Sequence, residues 1–457
     1  NANIRSEKFK TILEQINFES TIPDPPKTKT LQLKEIDYEA EIAKQPFDCI
    51  EKKDGITLSI CIPTYNRARY LEVLLNDLHK ELQAFPFRYE IVISDDCSQD
   101  NTEDIVRHWS SRLPIIYEKQ KQNIGSLQNM DAAYSSALGT FAMYLADDDF
   151  IGKDELIKAI LMLIAHPEAV VLYAPNKLIE HQNKRSDEQF YYIPKDIILD
   201  QFDYTNLLNL ILDHRIFPEV LIFRLEAYKQ SLPTTNGISY WAFTKATEWL
   251  SLGQIIFKKE PFYYSSISYF KNEERVQLGN EETEYAWDRY RGGLEYILSF
   301  LVPHLNVEEK NVYRTSIDQF VQDRMLVGLK LRLLNGRNPV DNYYLAARVC
   351  SMMDKDLLPY DYKKIRSAAA IWYLGNDPLL LKRKEAIVLI GFDESMVEIV
   401  SAQSCVPVFT EQTYLGEYEN SIILHKENSK FCALDHSLEA RGNNTILTES
   451  MLMTKFI

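Results

Sequence analysis

Glycine is scarce in this chain, at 15 of 457 residues, well under the roughly 7% of an average protein. Collagen-like and glycine-rich fibrous classes are excluded. There are only six cysteines, Cys49, Cys61, Cys97, Cys350, Cys405 and Cys432, and no C-x-x-C pair. That pattern builds neither a disulfide scaffold nor a thiolate zinc site, and it reads as small core residues in a reducing compartment. No apolar run reaches the length of a membrane-spanning helix. The longest candidate, IKAILMLIAHPEAVVLYA, is broken by lysine, histidine, proline and glutamate. A basic excess is also missing: Lys+Arg total 51 against 66 for Asp+Glu, a net charge of −15. Such a field repels DNA, RNA and anionic lipid, which argues against general nucleic-acid binding. No G-x-G-x-x-G follows the first strand and no G-x-x-x-x-G-K-[ST] occurs, so a dinucleotide fold or an ATPase loop fits poorly. The opening NANIRSEKF has no signal-peptide layout and no initiating Met. Asn-Ala also reads as the remnant of a cleaved tag, and whether the chain is a fragment of something longer is left open.

What is present is globular. Apolar residues make up 46% and charged residues 26%, and the length allows about three domains at roughly 150 residues each. Residues 1–55 read as a leader, with a short helix in KFKTILEQINF and a linker at PDPPKTKT. Residues 56–275 read as the first domain, 276–384 as a helical region and 385–457 as a small α/β segment, truncated if the chain is a fragment. LSICIPTY (58–65), YEIVISDD (89–96), LPIIYEKQ (113–120) and GTFAMYLADDD (139–149) are buried-strand patterns. Helical patterns alternate with them. In the first, Tyr70, Leu71, Leu74, Leu75 and Leu78 share a face; in the second, Asn101 or Thr102 is the expected cap. Alternation at this spacing predicts a parallel sheet covered on both faces. Further on, DELIKAILMLIAHPE predicts a helix, VVLYAPNKL one strand, and residues 180–210 loops over the sheet edge.

In an open sheet of this kind ligands bind beyond the carboxyl ends of the strands. The polar residues fall there: Thr64–Arg67 after the first strand, Asp95–Asp100 after the second, and Asp147–Asp149 after the fourth. Three adjacent carboxylates repel one another unless solvated or paired with a cation. Mg²⁺ or Mn²⁺, hard cations that take oxygen ligands, would relieve that repulsion. The plainer alternative is a solvated turn with helix-capping aspartates.

CIPTYNR, IVISDDCSQDNTEDIV, NIGSLQN and YLADDDF, in that order and spacing, resemble family 2 glycosyltransferases of the GT-A fold over residues 57–155, and more loosely to about 270. The resemblance implies a mixed, mostly parallel α/β sheet with a nucleotide-diphosphate sugar at its edge, most naturally UDP-linked. It implies Thr64 and Tyr65 at the nucleoside, Asp96 accepting from the base imide, and Asp147 facing ribose and diphosphate. Asp148 would hold the metal, with Asp149 able to share either task. The family's first motif aspartate is Leu145 here. Its Ala-Arg before Asn129 is Leu127-Gln128, so Arg67 and Arg69 either replace a lost phosphate contact or are plain surface. Asn129 is expected to help hold the aspartate loop, and Gly125 to allow a close chain approach.

Inverting transfer needs a base on the acceptor hydroxyl. The family's Glu-Asp pair is absent near TTNGISYWAF, leaving Glu219 as the leading candidate, with His214 and Asp213 behind it. Tyr240 and Trp241 are read either as a sugar platform or as core aromatics. The resemblance implies a metal-dependent hexosyl- or N-acetylhexosaminyltransferase acting on a saccharide or glycolipid hydroxyl in bacterial polysaccharide assembly. Its expected place is the cytoplasm, including the inner membrane face, without a transmembrane segment or nucleic-acid partner. A homo-oligomer is left open. A non-catalytic carbohydrate-binding protein on a degenerate transferase fold is the alternative, kept by the missing Glu-Asp pair.

Overall fold

The computed structural model describes residues 55–180, 184–268, 278–413, 419–427 and 443–456. The expected leader helix and linker lie outside them. The chain forms two compact units. The first holds the chain up to Thr235 with Trp241–Lys271 and Tyr296–Leu305; the second holds Asn236–Tyr240, Asn272–Glu295 and Asn306–Ile457.

The first unit opens with β1 (Leu58–Thr64), α1 (Ala68–Glu81), β2 (Tyr89–Asp95), α2 (Thr102–Trp109), β3 (Ile115–Lys119), α3 (Ser126–Ser135) and β4 (Phe141–Tyr144). Strand period two explains the layering. Leu58, Ile60 and Ile62 of β1 join Leu71, Leu74, Leu75 and Leu78 of α1 in one core cluster, each with no exposed surface. The alternate residues face the other way: the Cys61 thiol lies 3.7 Å from the Ala133 carbonyl of α3. Each such buried side chain contributes roughly 1.5–3 kcal/mol relative to exposure. Tyr70 departs from the expected apolar face; it is only half-buried and supports Arg67 instead.

The chain continues through β5 (Phe150–Ile151), α4 (Lys153–Ala165), β6 (Ala169–Tyr173), β7 (Asn176–Glu180), β8 (Lys184–Gln189), β9 (Ile197–Leu199), α5 (Tyr204–His214), β10 (Leu221–Arg224), α6 (Leu225–Gln230), α7 (Trp241–Leu252), β11 (Gln254–Phe257) and β12 (Tyr263–Ser268). An eight-stranded sheet runs in the order β3-β2-β1-β4-β10-β6-β11-β9, and a smaller one in the order β5-β12-β7-β8. β3, β2, β1 and β4 are parallel, while β10 is antiparallel to both its neighbours. Two expectations are corrected. VVLYAPNKL is two strands in two sheets, divided at Ala174-Pro175, since proline cannot donate to a ladder. The 180–210 stretch is not simply loop: it holds β8, β9 and the start of α5, capped by Asp203, whose side chain accepts from Asn206 N at 3.2 Å. At α2 the capping side chain is neither Asn101 nor Thr102. Asp100 accepts from Thr102 N at 3.1 Å and Thr102 Oγ1 at 2.5 Å.

The second unit is helical, then α/β. α8 (Leu278–Tyr285), α9 (Trp287–Leu301, whose last residues belong to the first unit), α10 (Val307–Leu334), α11 (Pro339–Cys350) and α12 (Tyr362–Asn376) precede β13 (Ala386–Ile390), α13 (Glu394–Ser401), β14 (Val408–Thr410), β15 (Ser421–His425), β16 (Thr445–Thr448) and α14 (Glu449–Met453). α10 starts with a capping box between Asn306 and Glu309, each satisfying the other's orphan donor. Buried Arg332 bonds Asn342 Oδ1 at 2.9 Å, and fully buried Glu284 accepts from Arg337 and Asn335, both at 2.9 Å. The four final strands are all parallel, ordered β14-β13-β15-β16. Among the described residues no helix is long and apolar enough to cross a membrane.

Candidate active site

Because β2, β1 and β4 are parallel neighbours, their exit loops emerge side by side at the carboxyl edge. The first two loops are stitched together. Asn66 N donates to Ser98 Oγ at 2.8 Å, Gln99 N donates to Asn66 Oδ1 at 2.7 Å, and Ala68 N donates to Asp100 at 3.0 Å. Asn66 sits at φ 52°, a left-handed conformation that asparagine tolerates better than most residues. Neither Asn66 nor Ser98 stood out as functional in the sequence, although a short polar residue directly after a strand is the signal for such a stitch. Burial pushes the Asp100 carboxyl up, but hydrogen bonds from Thr102 and Ala68 outweigh it and hold it below its ordinary value.

Buried Asp96 accepts from Ile124 N at 2.6 Å and Gly125 N at 3.0 Å. Gly125 has φ 93°, a left-handed backbone conformation that favours glycine. Each Asp96 oxygen receives one backbone donor and has a second lone pair for a ligand. Asp95 faces elsewhere, accepting from Ser98 N at 2.8 Å and the Tyr117 hydroxyl at 2.6 Å. Asn129 joins the ends of β1 and β2: its amide donates to Ser94 O at 2.9 Å and Thr64 O at 3.3 Å, and its oxygen accepts from Ser94 Oγ at 2.7 Å. Tyr65 is 44% exposed at the rim.

The three aspartates after β4 divide into a pair and a single residue. Thr64 Oγ1 donates to Asp147 at 2.7 Å. Arg67 Nε lies 2.9 Å from Asp147 Oδ1, close enough for an ion pair though off-axis for a hydrogen bond, and its Nη2 pairs with Asp148. The guanidinium lies over the Tyr70 ring, 4.5 Å from its centre. Asp149 turns to the small sheet, accepting from Ser266 N at 2.8 Å and the Tyr263 hydroxyl at 2.9 Å. Among the described residues no three His, Cys, Asp or Glu side chains converge as metal ligands. The pair Asp147–Asp148 still fits a hard cation of the Mg²⁺ class. Such ions are commonly held by one or two carboxylates, with substrate phosphate and water completing the shell.

Glu219 reaches the same edge because β10 runs against β4. Residues just before β10 therefore lie beside residues just after β4. The electrostatics agree: burial pushes the Tyr144 phenol up, followed by Asp149, Asp147 and Glu219, with Arg67 opposing. His214 ends α5 with Nδ1 3.0 Å from the Tyr192 carbonyl, and Asp213 is exposed. Tyr240 is a core aromatic rather than a sugar platform: it is 2% exposed and packs edge-on against Tyr290, with ring centres 4.8 Å apart.

The sequence model of the family described as Glycosyl transferase family 2 matches residues 59–224. The abequosyltransferase RfbV of Salmonella typhimurium is 36% identical over 146 residues, covering 29% of this chain and 43% of that protein. The poly(ribitol-phosphate) beta-N-acetylglucosaminyltransferase TarS of Staphylococcus aureus is 34% identical over 116 residues, covering 25% and 20%. The chondroitin synthase of Escherichia coli is 26% identical over 248 residues, covering 52% and 32%. The matched stretch is thus less than half the length of each relative. It spans the strands whose carboxyl ends gather Thr64, Asp96 and the aspartates, and it stops at the last residue of the strand that brings in Glu219. Residues 59–224 are a family 2 glycosyltransferase domain with a GT-A-like fold.

Proposed function

We propose that this domain transfers a sugar from a nucleotide-diphosphate sugar, UDP-linked, to a hydroxyl of a saccharide or lipid-linked acceptor, with inversion at the anomeric carbon. The observation that carries the reading is the meeting of Asp96, Asp147, Asp148 and Glu219 at one sheet edge.

Each group has a task suited to its surroundings. Asp96 is held rigid by two backbone donors and accepts the imide N–H of uracil. Thr64 fixes Asp147, which faces the ribose and diphosphate. Tyr65, exposed at the rim, covers the nucleoside. Asp148 and Asp147 would hold Mn²⁺ or Mg²⁺, whose contribution when bound is to withdraw charge from the leaving diphosphate. Glu219 takes the proton from the acceptor hydroxyl as its oxygen bonds the anomeric carbon. The bond from that carbon to the diphosphate oxygen breaks, and the nucleoside diphosphate leaves with its electron pair.

The test is UDP release from a panel of sugar nucleotides, with and without saccharide acceptors, in Mn²⁺ and in excess chelator. The expected result is acceptor-stimulated, cation-dependent release from one UDP-sugar. Binding of UDP-sugars without release under any condition would return the domain to a carbohydrate-binding role.

A further inference from the structure

We propose that Arg67 is a resident counter-ion that competes with the divalent cation for Asp147 and Asp148. The cation is then admitted together with the donor diphosphate, which takes over the guanidinium. This inference rests on the donor and cation reading above.

Arg67 contacts both carboxylates at once, through Nε to Asp147 and Nη2 to Asp148. Two nearly buried adjacent carboxylates are costly without a positive partner. Here that partner is a side chain from the loop after β1. A divalent ion bound to the same oxygens would sit within a few ångströms of the guanidinium and be repelled by it. The three side chains differ in freedom. The Arg67 side chain is 23% exposed, against 8% for Asp147 and 5% for Asp148. Thr64 Oγ1 holds Asp147 independently of Arg67. Arg67 can therefore leave while Asp147 keeps its position. A diphosphate is a suitable receiver, because the planar guanidinium fork matches phosphate oxygens in pairs. The exchange trades one neutralised arrangement, carboxylates with arginine, for another, carboxylates with cation and arginine with diphosphate. Arg67 is thus a positioning residue that makes cation binding conditional on the donor.

The test measures Mn²⁺ affinity of nucleotide-free protein by electron paramagnetic resonance. Removing one like charge at this range should tighten Mn²⁺ binding at least about ten-fold in Arg67→Gln relative to wild type. Arg67→Lys, which keeps the charge, should stay near wild type. Adding Asp148→Asn to Arg67→Gln should erase the gain. Equal or weaker Mn²⁺ binding by Arg67→Gln overturns the proposal. Circular dichroism checks the fold; if Arg67→Gln is unfolded, Arg67→Met, which keeps the aliphatic stem over Tyr70, is judged by the same criterion. A separate arm adds saturating UDP to wild type. Failure of Mn²⁺ to bind there rejects the cation reading, whereas the nucleotide-free comparison alone decides the role of Arg67.

Discussion

The two units each contain parallel strands with acidic residues beyond their carboxyl ends, yet those acids are used differently. In the C-terminal sheet they satisfy donors at helix N-termini. Asp393 caps α13, accepting from Met396 N at 3.0 Å and Ser395 Oγ at 2.7 Å. Glu427 accepts from Ser450 N at 2.8 Å, and Thr448 caps α14 through Met451 N at 3.0 Å. In the N-terminal sheet the acids from separate strands are pooled. Asp147 and Asp148 share Arg67, Asp96 faces a glycine-bearing loop, and Glu219 arrives from an antiparallel strand. Parallel topology supplies an edge in both units. At the N-terminal edge carboxylates from several loops meet, and that is a property of the loops and not of the fold.

Four changes test this contrast. The largest effect is expected at Glu219. Glu219→Gln should lower sugar transfer about 10²–10⁴-fold while UDP affinity, measured by calorimetry, stays at the wild-type value. A variant with more than a tenth of wild-type transfer would move the base to His214 or Asp213. Next is Asp96. Asp96→Ala removes the acceptor for the base imide and for two backbone donors, and should weaken UDP binding by about 1–3 kcal/mol. Asp96→Asn, which can still present a carbonyl, should lose less; unchanged UDP affinity in the alanine variant would reject the assignment.

Tyr263→Phe deletes a donor to Asp149 inside the small sheet. It should destabilise the domain by about 1–3 kcal/mol in a denaturant melt, with Mn²⁺ affinity unchanged. A large loss of Mn²⁺ binding would instead place Asp149 with the metal pair. Last is the cap of the second unit. Asp393→Ala should leave UDP binding and transfer unaltered and lower the melting temperature only slightly. A loss of transfer would show that the C-terminal edge takes part in the reaction.

Acid sensitivity sharpens the same contrast away from the site. Burial pushes the Glu155 carboxyl up, but Lys158 and Lys258 outweigh it and hold it below its ordinary 4.5. A depressed carboxyl stabilises the fold above its unfolded value, and that stability is lost as pH falls through the folded one. Glu155→Gln should therefore lower stability at neutral pH and flatten the acid limb of the stability profile below about pH 4.5. A parallel shift at every pH would contradict this.

The alternation of apolar strands with amphipathic helices fixed the N-terminal layout from sequence, because periods of 2 and 3.6 are local properties. The strand-end positions of Thr64, Asp96 and Asp147–Asp149 were legible for the same reason. Other features depended on partners distant in the chain. Asp149 takes its bonds from Tyr263 and Ser266, more than a hundred residues on. Glu219 joins the edge only because β10 inserts antiparallel between β4 and β6. The contact of Arg67 with Asp147 and Asp148 needed the β1 and β4 loops side by side, and Tyr240 became core only once Tyr290 packed against it. A local pattern records which face a residue presents; which strand or loop lies opposite is set by pairing across the whole domain, and only the tertiary structure decided it.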